Sequence, residues 1–426
     1  MKFSHAFGAA STKSFNSIVP TFVSNTTVFS SFVIDPSAWH VIKKAVNKAV
    51  NLKNHSRISF SHVVKVQVVE RTRRKPKVTI EKIFFAPTKK NRYGEGMFET
   101  IVLIVLLSLI FDYTNGFHDA ANVVSTVIAT KALTPMTAII IAGILNTLGA
   151  LLISGVAETI AEGLVQATNT SQIVVLSAVC GAIIWNLATW YWGIPSSSSY
   201  ALIGGLLGAA LFEDGPSTVI WSSVIYKVVI PMVFSPLIGF LIAYFLMKAL
   251  YRYIGKHPAA KDKALFKHLQ ILSACFVAFS HGLNDAQKSM GIITLGLFAS
   301  GNITSIEIPL WVILSCALVM GLGTASGGFR IIRTMGYSIT KIAPVQGFAA
   351  ECAASGVILT ASFLGMPISS TQMIAGSITG VGSAKSLRSV RWGTPRKMAI
   401  AWLLTLPGAG TVGAIAYSIL QLVGVL

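Results

Sequence analysis

Long apolar stretches recur along this chain at 98–111, 136–154, 172–194, 218–247, 309–326, 346–364 and 399–426. Most approach or exceed the roughly 20 residues that an α-helix needs to cross a bilayer. Lipid offers a backbone no hydrogen-bond partners, so each segment must satisfy its own peptide groups, which a helix does locally. The expected fold is therefore an all-α polytopic membrane protein with about ten to twelve transmembrane helices. Composition agrees, with 53% of the 426 residues hydrophobic and 12% charged.

The formal net charge of +19 would suit a nucleic-acid binder if it were evenly spread. It is not, because residues 1–96 carry 17 Lys and Arg against 4 Asp and Glu, while the remaining residues carry 17 against 11. Within the apolar part the basic residues fall mainly in short loops, which sets topology and calls for no nucleic-acid partner. Cys180, Cys275, Cys316 and Cys352 lie in or beside apolar runs without CxxC spacing and read as small core residues.

Residues 1–96 are rich in Ser, Lys and Arg and poor in acids, as a transit peptide is. A rival reading is an over-extended start, because Gly94-Glu95-Gly96 back-translates to a purine-rich string resembling a bacterial ribosome-binding site just before Met97. The expected division is a basic extension 1–96, a first repeat 97–247, a basic cytoplasmic linker 248–268 and a second repeat 269–426.

The repeat rests on two pairs of motifs. Asn115-Gly116-Phe117-His118-Asp119-Ala120-Ala121-Asn122 resembles His281-Gly282-Leu283-Asn284-Asp285-Ala286-Gln287-Lys288, and Pro195-Ser196-Ser197-Ser198-Ser199 resembles Pro367-Ile368-Ser369-Ser370-Thr371. Similar elements in the same order at nearly the same spacing point to duplication. Corresponding loops carry opposite charge signatures. Lys131 has only Glu307 opposite it, Glu158 and Glu162 correspond to Arg330, Arg333 and Lys341, and Glu213 and Asp214 correspond to Lys385, Arg388, Arg391, Arg396 and Lys397. Since Lys and Arg gather on the cytoplasmic side, the copies are expected to be inverted, with helices broken around the Gly motifs and helical hairpins at the Pro-Ser clusters.

Ionisable groups inside a membrane are costly and mark function. Asp119 and Asp285 hold equivalent repeat positions beside Gly and polar residues able to interrupt a helix, and a carboxylate near freed carbonyls suits a small cation or a carried proton. Asp112 reads equally as an interfacial group. His118 and His281 do not align with each other and read as hydrogen-bonding residues. Lys288 stands where the first copy has Asn122 and can meet an anion or pair with a carboxylate; it is placed with the anion-binding set. The Pro-Ser clusters suit helix starts, whose free amides attract anions, with Ser197, Ser198, Ser199, Ser369, Ser370 and Thr371 supplying hydroxyl donors.

Over residues 98–424 these motifs, together with Phe111-Asp112-Tyr113-Thr114 and Gln346-Gly347-Phe348-Ala349-Ala350-Glu351, resemble the inorganic phosphate transporter family of Pit-type symporters, most closely its bacterial branch. The resemblance implies import of inorganic phosphate with sodium or protons by alternating access, no catalytic residue, no cofactor and, in many members, a homodimer. It assigns Asp119, Asn122, Asn284 and Asp285 to cation and phosphate handling and the Ser/Thr clusters to phosphate. Glu351 matches an acidic position of the coupling machinery. Asn146, Ser199 and Gln372 depart from residues common in relatives. A cytoplasmic membrane location is expected, or a plastid inner envelope if residues 1–96 are a transit peptide. A sulfate symporter and a passive anion channel are the competing readings.

Overall fold

The computed structural model describes residues 60–69, 79–87, 96–152, 155–256 and 263–423. The chain divides into two compact units, Met1–Gly94 and Glu95–Leu426. In the first unit β1 (Phe60–Val69) pairs antiparallel with β2 (Thr79–Pro87), with Val64 opposite Phe84 and Val66 opposite Lys82. The alternation Val64-Lys65-Val66-Gln67-Val68 has the strand period and its β-branched residues favour extended backbone. The all-α expectation thus holds for the described residues of the second unit, whereas part of the extension is a two-stranded antiparallel sheet. Other residues of 1–95, including the purine-rich string, lie outside the described residues.

The second unit is helical among its described residues. Its first half contains α1 (Gly96–Ala129), α2 (Pro135–Ala150), α3 (Gly155–Glu162), α4 (Gln172–Tyr191), α5 (Ser198–Asp214) and α6 (Trp221–Lys256). Its second half contains α7 (Lys263–Ala299), α8 (Leu310–Ser326), α9 (Phe329–Ser338), α10 (Pro344–Phe363), α11 (Ser370–Lys385) and α12 (Gly393–Val423). The halves match element for element, as the repeat requires. Caps set several starts: Thr134 precedes Pro135 of α2, Ser171 accepts from the amide of Val174 at 3.3 Å, and Gln346 closes back onto the amide of Ala343 at 2.8 Å.

Among the described residues four helices are long and apolar enough to cross a membrane, α1, α4, α6 and α12, or up to six if the bent pairs α2–α3 and α8–α9 each form one span. That is fewer than the expected ten to twelve, and α5 and α11, with 17 and 16 residues, are among the helices that fall short. Side-chain placement inverts the soluble pattern. On α1, Leu103, Leu106 and Ile110 are exposed while Ser108, Asp112, Asn115, Asp119 and Asn122 are buried. Apolar residues face outward where lipid solvates them, and the polar stripe turns inward.

The equivalent helices α1 and α7 run antiparallel. Near the start of α1, Ile101 and Ile104 approach Gly296 near the end of α7, and Thr130 just past the end of α1 donates to Gln270 near the start of α7 at 2.8 Å. Two apolar cores lie on either side of the polar band. One takes Ile104 and Phe111 with Ile292 and Leu295; the other takes Val123 and Val127 with Ala274 and Val277.

Helix contacts between halves are reciprocal. A Cβ on Gly149 of α2 would meet the carbonyl of Phe279 at 2.1 Å, and one on its counterpart Gly323 of α8 would meet the carbonyl of Tyr113 at 2.4 Å. Likewise Gly208 of α5 abuts Gly410 of α12, and Gly380 of α11 abuts Phe240 of α6. Each half thus packs its hairpin helix on the last helix of the other half. Small residues permit this backbone approach, the usual way helices associate where lipid removes the hydrophobic drive.

Candidate functional site

The hairpins α4–α5 and α10–α11 stop short of continuous helices at Pro195 and Pro367, as the Pro-Ser motifs predict. Ser197 Oγ accepts the amide of Tyr200 at 3.3 Å and Ser369 Oγ accepts the amide of Gln372 at 3.3 Å. These caps start α5 and α11, and Ser199 Oγ donates to the carbonyl of Ile368 at 3.3 Å, drawing the two helix starts together. Each start carries about half a positive charge from its aligned peptides, so both dipoles converge on one buried point.

The carboxylates meet them there. Ser198 Oγ donates to Asp119 Oδ2 at 2.7 Å, and Ser370 Oγ donates to Asp285 Oδ2 at 2.9 Å, the same contact in each repeat. Thr371 Oγ1 donates to Asp119 Oδ1 at 3.3 Å, and His118 Nδ1 lies 2.7 Å from the same oxygen. His281 Nε2 pairs with Asp285 Oδ2 at 3.1 Å. Ligand atoms of Asp119, His281 and Asp285 all fall within 4.8 Å of one another, so groups from both repeats share one buried cluster. His281 is thereby brought into the ionic centre, a place that alignment with His118 could not indicate because its repeat counterpart is Asn115.

Asn122 Nδ2 donates to Thr371 Oγ1 at 2.9 Å and to Ser370 Oγ at 3.2 Å, while its Oδ1 is buried without a partner. Asn284 Nδ2 donates to Ser362 Oγ at 2.8 Å and its Oδ1 is likewise unpartnered. Buried acceptors left without a donor are expensive. Lys288 donates to Asp285, to Ser199 Oγ at 2.5 Å and to the carbonyl of Ile368 at 3.1 Å.

One sequence expectation changes. The helices are not broken at the Gly motifs, since α1 runs continuously through Gly116 to Asp119 and α7 through Gly282 to Asp285. Those glycines serve close packing instead: a Cβ on Gly116 would lie 2.5 Å from the carbonyl of Met320, and one on Gly282 would lie 2.1 Å from that of Asn146. The breaks fall elsewhere, at bends of 70° between α2 and α3 and 59° between α8 and α9. Glu351 on α10 is set apart from the cluster, accepting from Thr126 at 2.5 Å, from Gln270 at 3.2 Å and from Ser273.

Sequence reasoning missed Ser362, which holds Asn284, and marked Asn146 only as a departure from relatives, whereas its Oδ1 lies 3.1 Å from His281 Nδ1 and its Nδ2 donates to Thr324 at 2.7 Å. Asn146 carried a signal as a polar residue within an apolar run. Ser362 carried none.

The model of the phosphate transporter family matches residues 115–413, which include every element of this cluster. The chain belongs to that family. A probable low-affinity inorganic phosphate transporter of Bacillus subtilis is 43% identical over 325 residues, covering 76% of this chain and 97% of the relative. One of Mycobacterium leprae is 44% identical over 326 residues, 76% of this chain and 79% of the relative. A solved structure described as the sodium-dependent phosphate transporter superposes with TM-score 0.67 at 27% identity, covering 76% of this chain and all of that one. Membership of the phosphate transporter family makes this a multi-pass membrane protein and not an enzyme, and its bacterial relatives lend no support to a plastid-envelope location.

Proposed function

We propose that this member of the family imports inorganic phosphate across the cytoplasmic membrane by symport with cations, through alternating access. The observation that carries the reading is the meeting of Asp119 and Asp285 with the Ser/Thr-capped starts of α5 and α11 at one buried cluster between the repeats. Hydroxyls and helix N-termini suit a tetrahedral oxyanion, and paired carboxylates suit its co-ions. With the cytoplasm negative, each negative charge moved inward costs about 2.3 kcal/mol per 100 mV. Accumulation therefore needs a co-moved cation, and sodium is favoured because the solved relative is sodium-dependent.

The antiparallel course of α1 and α7, joined to the charge bias of the loops, supports an inverted pair of repeats with the basic loops at 131, 248–268, 327–345 and 385–397 in the cytoplasm. Glu351 is assigned to the coupling machinery as a separate buried carboxylate.

Purified protein in proteoliposomes tests the function. Labelled phosphate should accumulate against its gradient when an inward sodium or proton gradient is imposed, one at a time, and unlabelled phosphate should compete better than sulfate. Equal flux without any cation gradient would replace the symporter by a channel.

A further inference from the structure

The two repeats supply their carboxylates with counter-charge in different ways. In the first, Thr371 donates directly to Asp119 at 3.3 Å and Asn122 donates to Thr371. The equivalent residues in the second are Ser199, Asp285 and Lys288. There, the Lys288 ammonium stands between the other two, bonded to Asp285 on one side and to Ser199 Oγ at 2.5 Å on the other. Its third bond goes to the carbonyl of Ile368 at 3.1 Å.

An ammonium has three donors and no acceptor, so these contacts use it fully and leave no N–H for an anion. The oxygens around it are a carboxylate, a hydroxyl and a main-chain carbonyl, the ligand types that hard cations take. Lys288 is 1% exposed and Asp285 0%, so the two opposite charges are withdrawn from water together and each serves as the other's partner. Asp119 has His118 as its ion-pairing partner among the described residues and no ammonium or guanidinium.

We propose that Lys288 is a tethered cation: in the second repeat its ammonium takes the carboxylate and hydroxyl whose first-repeat counterparts, Asp119 and Thr371, bond each other directly and would receive the transported cation. One exchangeable cation then accompanies each phosphate at this cluster, where two symmetric carboxylates would take two. The proposal deepens the symport reading and rests on it for its transport arm. Lys288 is thereby the residue that sets how many free cations the junction holds, and it acts on phosphate through Asp285 and Ser199.

Two measurements on the full-length protein test this. In proteoliposomes, initial phosphate uptake by the wild type should depend on the driving cation with a Hill coefficient of about one, and Lys288→Asn, which restores the residue of the first repeat, should raise it to about two. Lys288→Arg, which keeps the charge, should keep the wild-type coefficient. In detergent, sodium should add a saturable rise in the melting temperature of Lys288→Asn beyond that of the wild type. A wild-type coefficient of about two overturns the proposal even if no variant inserts. So does an inserted Lys288→Asn protein whose cation dependence and sodium stabilisation match the wild type. Should the wild type take up no phosphate under any cation gradient, the symport reading falls, and the detergent titration still decides whether removing the ammonium opens a cation site.

Discussion

Ser198 on the first turn of α5 donates through Oγ to Oδ2 of Asp119 on α1 at 2.7 Å. A hydroxyl at a helix start and a carboxylate in a membrane-buried helix thus lie within one hydrogen bond, and Ser370 repeats the contact on Asp285. The group suited to an anion holds the group suited to a cation. Under the proposed symport, binding at one would reorganise the other, the kind of differential contact that coupling requires.

Removing either carboxylate charge should uncouple the protein. Asp119→Asn preserves shape and one acceptor but leaves no anion for the cation, and Asp285→Asn leaves the Lys288 ammonium without its carboxylate, so in both variants gradient-driven phosphate accumulation should fall by at least about tenfold while the protein still inserts. Full accumulation by Asp285→Asn with unchanged cation dependence would make that carboxylate structural.

Loss of the bridging hydroxyls should act more mildly. Ser198→Ala and Ser370→Ala each remove one hydrogen bond to a charged group, worth about 1.5–3 kcal/mol, so the apparent KM for phosphate should rise about tenfold or more. Initial-rate uptake across a phosphate series reads this directly, and an unchanged KM in both variants would remove these hydroxyls from the phosphate site.

The reciprocal glycine contacts should be essential to folding. Gly208→Val would set a Cβ 2.0 Å from the carbonyl of Gly410, a clash between backbones that no side-chain motion relieves, whereas Gly356 has open space at its Cβ position. Size-exclusion profiles should show a folded peak lost for Gly208→Val and kept for Gly356→Ala.

Sidedness is testable by cysteine labelling after replacement of Cys180, Cys275, Cys316 and Cys352. Single cysteines at Glu158 and Asp214 should react from outside and one at Arg388 from inside. Reaction of Asp214 and Arg388 positions from the same side would refute inverted repeats.

Transport should reside in the second unit. A protein starting at Met97 retains every residue of the cluster and the whole matched span 115–413, so it should take up phosphate as the full chain does. Normal insertion with no uptake would assign a working role to residues 1–96.

Periodicity and charge were enough to establish a helical membrane protein, because a bilayer admits few backbone solutions and each apolar run reports its solvent locally. Duplication was legible in the matching Gly-x-x-Asp and Pro-Ser motifs, and with it the pairing of Asp119 with Asp285 and the hairpin starts at Ser198 and Ser370. What Gly116 and Gly282 do was not legible. A glycine can break a helix or admit a neighbour, and only the backbones of α8 and α2 pressed against them select the second role. Lys288 was equally ambiguous between anion and carboxylate, since its partners Ser199 and Ile368 are 89 and 80 residues away in the chain. Asn146 and Ser362 joined the site through such distant contacts as well, whereas His281 reaches Asp285 within one turn of α7. Local sequence reports what a segment needs from its solvent, whereas a site shared between inverted repeats exists only once both halves have packed.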